Sequence, residues 1–366
     1  MAVISGHAGE DSRQDRGETI PPPTEGCPVS VLSHRFQLVA RPTGLPGAEH
    51  FEVVSEKLDL AALPRLAPPT LLVQNVLFSV DPYHREMMDG DWALHAPLEG
   101  RSAGRVLAST SPAFRPGDIV LHRRGYATHA LVPAAEARKI TPFKGVPLEA
   151  YLSILGGAGL TAYVGLTRIA ELHGGQAMLV TAAGGGVGTA AARIARLLGA
   201  SPIVGITSTP EKATRLLASG AFDRVIASRD AVALARMRAE GAGRFDAVLE
   251  GGGGDHLALA IDLVKPRGRI AWVGAIGHYT ATEPPVAPRN LFTLVDKQVR
   301  LEGYLVASYR DLQQEFEDFL IPHILSGDVP LEVTVTHGFN QTIDALQGLF
   351  TGANLGKALV RLIPSV

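Results

Sequence analysis

Cysteine is nearly absent from this chain of 366 residues, and Cys27 is the only one. A single thiol excludes any disulfide within the chain and any zinc site built on several cysteines. It also suits a reducing setting such as the cytoplasm. Long apolar runs are missing: none approaches the roughly 18 residues that would cross a bilayer, so no membrane partner is expected. Charge of one sign is missing too. The 34 Lys and Arg nearly balance the 36 Asp and Glu, without the basic surplus that marks nucleic-acid binding. The 12 His residues form neither H-x-E-x-H nor H-E-x-x-H, the helical arrays that hold catalytic zinc, and no metal is expected.

What is plentiful is glycine, at 40 residues, in a chain that is 46% hydrophobic. That combination suits an α/β protein with many tight turns, and the length suits two domains. Residues 1–27 are polar, carry the triplet Pro21–Pro23 and lack the apolar core of a secretory signal. They read as a disordered leader. Residues 28–150 show short apolar runs between Gly and Pro, among them Phe36–Ala40, Phe51–Val54, Thr70–Val80, Gly104–Ala108 and Ile119–Leu121. These predict a β-rich domain. Residues 151–328 alternate strand-like runs with helical stretches: Ala177–Val180, Pro202–Ile206, Arg224–Ile226, Ala247–Leu249 and Ile270–Val273 are the strands. Continuous apolar strands separated by helices predict a doubly wound parallel sheet covered on both faces. Residues 329–366 hold a strand at Val329–Thr336, a helix at Asn340–Thr351 and a strand at Ala358–Ile363, expected to return to the first domain.

The stretch Ala177–Ala200, AMLVTAAGGGVGTAAARIARLLGA, runs from strand through turn to helix. Its A-x-x-G-x-x-G spacing is a variant of the dinucleotide fingerprint. Small residues at Ala182, Gly185 and Gly188, with Ala183 beside them, let a pyrophosphate approach the backbone at a helix start, where N–H groups and the dipole stabilise its charge. An NAD-binding chain usually places Asp or Glu about 20 residues further on. Here the second strand ends in Thr207-Ser208-Thr209, followed by Lys212. Without an acid at that tip, and with hydroxyls and an ammonium in its place, the pattern predicts NADP(H).

Several segments, in order, resemble the zinc-free, NADP-dependent branch of the medium-chain dehydrogenase/reductase superfamily that contains prostaglandin, alkenal double-bond and curcumin reductases. LFSVDPYHREMM at Leu77–Met88 is similar to the family's S-V-D-P-Y-M-R, with His84 in place of Met. GGAGLTAYVGL at Gly156–Leu166, GRIAWVGAIGHY at Gly268–Tyr279 and NLGKALV at Asn354–Val360 are similar to three further family segments. The resemblance covers roughly Ser33 to the end. It implies a Rossmann sheet with a GroES-like β-rich domain.

The resemblance also implies site roles. Gly186, Val187, Gly188 and Thr189 would meet the pyrophosphate and Lys212 the 2′-phosphate. Ser228 stands where the family often has a phosphate-binding Tyr, with Arg229 beside it. Ala275, Ile276, Tyr279, Tyr304 and Leu305 would line the nicotinamide end, and Asn354 would reach it from the returning tail. Tyr279 and Tyr83 are the candidate catalytic residues. Glu250-Gly251-Gly252-Gly253-Gly254 replaces a family segment that contains Asn, a change expected to remove a polar contact and widen the cleft. Asp81 and Arg85 flank Tyr83 and are expected to form a structural ion pair.

The implied chemistry is conjugate reduction of an α,β-unsaturated carbonyl compound, a small-molecule substrate. Quinone reduction, a specialised biosynthetic reaction on the same fold, and coenzyme binding without catalysis remain alternatives. The apolar strand expected at Val299–Val306 suggests a homodimer formed by sheet-edge pairing.

Overall fold

The computed structural model describes residues 30–241 and 243–363. The expected leader and Cys27 lie outside the described residues.

The N-terminal half is antiparallel. Strands β1 (Ser30–Leu38) and β2 (Phe51–Asp59) form a hairpin. Strands β3 (Thr70–Ser79), β4 (Ser102–Ser109), β5 (Ile119–His122), β6 (His129–Pro133) and β7 (Arg138–Ile140) build a sheet around β3. The sequence of β3, TLLVQNVLFS, is buried along nearly its whole length. It can therefore pair on both edges, with β4 on one side and β6 on the other.

The parallel half follows the alternation expected of it. Strands β8 (Met178–Val180), β9 (Ile203–Thr207), β10 (Arg224–Ala227), β11 (Phe245–Glu250), β12 (Val264–Trp272) and β13 (Arg300–Gly303) form one sheet in the order β10-β9-β8-β11-β12-β13. Every pairing in it is parallel. The chain winds outward from β8 in one direction and from β11 in the other. The crevice at such a reversal, beyond the carboxyl ends of the strands, is where open α/β sheets bind ligands. The helix Gly186–Leu197 buries Ala190, Ala191, Ala192, Ile194 and Ala195. Methyl-sized side chains allow it to lie close over β8 and β9.

Strand β13 ends at Gly303, short of the expected Val306. Tyr304 turns inward, and its hydroxyl donates to the Thr161 carbonyl oxygen at 2.8 Å. This buried anchor takes the chain off the sheet and into the turns of Val306–Leu312.

The last strands, β14 (Val333–His337) and β15 (Lys357–Arg361), join the N-terminal sheet. β15 runs antiparallel to β3 and parallel to β14. At its start the chain touches the parallel half: Gly356 N–H donates to Gly184 O at 3.0 Å.

Candidate active site

The turn after β8 is shaped by steric exclusion. A Cβ on Gly188 would lie 2.6 Å from Ala183 Cα, and one on Gly184 would lie 2.7 Å from Thr207 Oγ1. Ala183 is fully buried, and its N–H donates to Ile206 O at 2.8 Å, fixing the turn to β9. Gly185 precedes the helix without a capping side chain. The first helical hydrogen bond at this end runs from Thr189 N–H to Gly185 O at 3.0 Å. The N–H groups of Gly186, Val187 and Gly188 precede it, which leaves first-turn donors for an anion. The Thr189 hydroxyl donates to Gly185 O at 3.1 Å and braces the same turn.

The tip of β9 lies alongside. The Lys212 Nζ is 3.6 Å from the Cβ position of Gly184 and 3.9 Å from that of Gly352, which also approaches Ser208 Oγ at 3.1 Å. Among the described residues no carboxylate or carbonyl receives this ammonium. Burial, with some help from Arg215, pushes its pKa down. A half-buried cation without a partner is costly until an anion arrives. Ser228 follows β10, and its N–H donates to Thr207 O at 2.6 Å. It thereby joins the same strand-end cluster, while Arg229 is exposed. Donors at the helix start and an unpaired ammonium at the adjacent strand end fit the pyrophosphate and 2′-phosphate of NADP(H).

The ends of β11, β12 and β13 form the other side of the site. Glu250 is completely buried, and its Oε1 accepts from the Thr181 hydroxyl at 3.0 Å and from the N–H groups of Gly252 and Gly253 at 2.8 and 3.0 Å. Burial pushes this carboxyl up, against the pull of those three donors. The glycines after it do not open a gap at the positions expected. A Cβ on Gly252 would meet His256 Nδ1 at 2.3 Å, and one on Gly253, at φ +73°, would meet Ala275 Cβ at 2.6 Å. The run permits close approach: Ile276 N–H donates to Gly251 O and Gly277 N–H to Gly252 O, both at 3.1 Å. The expected widening is thus corrected at Gly252 and Gly253, whose space is already filled.

Beyond these ends lies a cleft of about 580 Å³. Ala275, Tyr279, Tyr304 and Leu305 line it, as the sequence suggests. Ile276 is not on its wall. Trp272, Tyr309 and Glu86 are on the wall and were missed. Tyr309 carries no motif of its own, and Trp272 and Glu86 each sit within a family-like segment whose interest lay in its neighbours. Burial and the nearby Glu86 push the Tyr279 pKa up, so its phenol stays protonated. Leu305 is 75% exposed at the mouth. Asn354 is buried, its amide donating to Gly356 O at 2.8 Å. Its side chain thus braces the segment that touches Gly184.

Tyr83 does not join Tyr279 on the cleft wall. Its hydroxyl donates to the Glu99 carboxylate at 3.4 Å, and the Arg101 guanidinium lies 5.9 Å from its ring centre. Burial and Asp81 push its pKa up. His84 is fully buried, and its Nδ1 accepts from Asp81 N–H at 3.2 Å and from the Tyr126 hydroxyl at 2.8 Å. The expected Asp81–Arg85 pair is corrected. Asp81 pairs with Lys357, while Arg85 binds Asp89 at 2.6 Å and the carbonyls of Gly44 and Pro42. Tyr163 packs on Phe316 and donates to Glu315 at 2.6 Å.

Comparison with known proteins places this site in a family. Residues 34–140 match the N-terminal domain of oxidoreductase, and residues 186–325 match zinc-binding dehydrogenase. The chain is 33% identical to a 2-alkenal reductase (NADP(+)-dependent) of Nicotiana tabacum, over 79% of this chain and 86% of that protein. It is 32% identical to prostaglandin reductase 1 of Bos taurus, over 87% of this chain and 95% of that one. The chain belongs to the zinc-independent medium-chain dehydrogenase/reductases. Like that branch of the superfamily, it is an NADP(H)-dependent oxidoreductase. Among the described residues, no group of three or more His, Cys, Asp and Glu is arranged to hold a metal ion. The crystal structure of CurA from Vibrio vulnificus in complex with NADPH has a TM-score of 0.82 to this fold at 26% identity, covering 91% of this chain and 100% of that one.

Proposed function

We propose that this reductase uses NADPH to saturate the activated C=C bond of α,β-unsaturated carbonyl compounds. The observation that carries the reading is the cleft: walls of Trp272, Tyr279 and Tyr309 lie beyond the strand ends, and the Tyr279 phenol donates to no other group among the described residues. Flat aromatic walls suit a planar conjugated substrate. In this reading residues 28–150 with 329–366 form the substrate-side domain, and residues 151–328 hold the coenzyme. The coenzyme's phosphates rest on the Gly185–Thr189 turn and on Thr207, Ser208, Lys212 and Ser228.

When bound, NADPH supplies the hydride for the β-carbon. Tyr279 stays a neutral phenol through burial and the Glu86 charge, and it donates to the carbonyl oxygen as negative charge gathers there. Such a donor acts by being placed in advance. The α-carbon proton comes from Tyr279 or from water. Tyr304 takes no part as a donor, because its hydroxyl is held by Thr161 O. Tyr83 shapes the substrate side through Glu99 and Arg101 and does not touch the reacting atoms. Ala275 and Leu305 border the nicotinamide end, and Asn354 holds the segment behind it.

The enzyme acts as a homodimer in this reading. β13 is one of the two edges of the six-stranded sheet, and the apolar side chains of Phe292 and Val295 stand exposed in the helical segment just before it. The single cysteine suits a reducing cytoplasm.

Spectrophotometric turnover of NADPH on enals, enones and quinones, run side by side, tests the proposal. Enone turnover well above quinone turnover supports it. Quinone turnover alone replaces it with a quinone reductase, and no turnover on any of them rejects it.

A further inference from the structure

Glu86 is the only charged side chain on the cleft wall, and among the described residues no hydrogen bond or ion pair engages its carboxylate. The cation next to it in sequence is spent elsewhere: the Arg85 guanidinium binds Asp89 and two backbone carbonyls. Asp89 adds a second negative charge close enough to push the Glu86 pKa up, after burial. Arg85 already balances Asp89, so the uncompensated charge on the lining is that of Glu86, and no positive group there balances it.

Aromatic side chains share the cleft wall with this carboxylate. The Trp272 indole is held by its N–H, which donates to Gly274 O at 2.8 Å. Tyr309 is set edge-to-face against Tyr304, with ring centres 6.4 Å apart. Both side chains line the cleft with Tyr279. Electron-rich ring faces together with an unpaired carboxylate are the chemistry that receives an organic cation.

We propose that the cleft selects enone substrates that carry a protonated amine outside the conjugated system, with Glu86 as its counter-charge and Trp272 and Tyr309 as its aromatic walls. The inference rests on the reductase reading for the location of the reacting bond. The same charge disfavours carboxylated substrates, so discrimination works through repulsion as well as attraction. Glu86 stands at an exposed rim, where water and salt weaken an ion pair. The expected preference is accordingly about fivefold to tenfold, not thousands.

The test uses the full-length enzyme and a matched pair of 4-arylbut-3-en-2-ones. One carries a para-dimethylaminomethyl group, protonated at neutral pH, and the other its uncharged isobutyl counterpart. The kcat/KM ratio, cationic over neutral, is expected at about fivefold or more, to fall with added salt, and to drop to near one in Glu86→Gln. A ratio near one in the wild type, or one unmoved by Glu86→Gln, overturns the proposal while leaving the reductase reading intact. Calorimetric binding of the two corresponding saturated ketones to the NADP+-loaded enzyme reads the preference without turnover. Tighter binding of the cationic ketone that Glu86→Gln abolishes supports Glu86 even if neither enone is reduced, the outcome that would remove the reductase reading instead. Equal binding of the two ketones overturns the proposal.

Discussion

The Asp81 carboxylate and the Lys357 ammonium form a buried ion pair between residues 276 positions apart. Lys357 also donates to Val80 O at 3.1 Å, and its side chain fills the space a Cβ on Gly186 would need, at 3.1 Å. One side chain thus ties the start of β15 to the loop after β3 and backs the coenzyme turn. Burial raises the Asp81 pKa, but the ammonium beside it, with other positive groups, holds the carboxyl well below the usual range. Replacing one partner strands the other's charge, a loss of about 3–5 kcal/mol. Lys357→Met is expected to lower the urea midpoint accordingly. The double variant with Asp81→Asn should lose less than the two single losses added together.

Acid sensitivity follows from two buried histidines. Burial pushes His84 and His122 down to about 3. In the unfolded chain each titrates near 6.5, so the unfolded state binds more protons between those values. Their contribution is fully present above about pH 6.5 and is lost as the pH falls toward 3. With both groups titrating, stability should fall by about 2.7 kcal/mol per pH unit inside that window. Asp81 adds to the loss below the ordinary carboxylate pKa of about 3.9. Denaturant titrations at several pH values check the slope. His84→Met should reduce it, with His122, His129 and His256, all pushed down by burial, keeping part of the slope, at a cost near neutral pH from the unpaired Tyr126 hydroxyl and Asp81 N–H.

Lys212→Ala removes the unpartnered ammonium beside Ser208 and Thr207. A hydrogen bond to a charged group contributes roughly 1.5–3 kcal/mol, so NADPH affinity should fall about tenfold to a hundredfold. NADH, without the 2′-phosphate, should bind almost as before. Fluorescence titration with both coenzymes reads the difference, and an equal loss for both would take the 2′-phosphate away from Lys212.

Tyr279→Phe deletes the donor that faces the cleft and keeps the ring. Turnover on an enone should fall by roughly 100-fold, the scale seen when one such donor is removed. NADPH affinity should stay within about twofold, because the phosphate sites lie elsewhere. Turnover equal to wild type would move the donor role to another group.

The coenzyme turn was legible because its signal is local. Strand, small-residue turn and helix follow one another within Met178–Leu197, and the acid missing from the β9 tip is itself a sequence observation. The parallel sheet was legible through the alternation of apolar strands with helices. The partner of Asp81 was not. Arg85 stands four residues away and Lys357 stands 276 away, and only the topology of β15 against β3 brings Lys357 in. Glu250 and its glycines misled for a related reason. A glycine run reads as open space, whereas His256 and Ala275 had already occupied it. Tyr83 and Tyr279 look equivalent as motif tyrosines, and only the surrounding carboxylates and the cleft wall separate them.

The position of β15 sets an order for assembly. Its pairing edge on β3 waits for residues 357–361, which follow every strand of the six-stranded sheet in the chain, the last of those ending at Gly303. A nascent chain that stalls after β13 holds a finished coenzyme sheet beside a β3 edge that still lacks its last partner. Such an edge is an aggregation template. Emergence of residues 356–361 therefore both completes the N-terminal sheet and seats Gly356 against Gly184, so the contact between the two sheets forms in the same step that makes the chain safe from its neighbours.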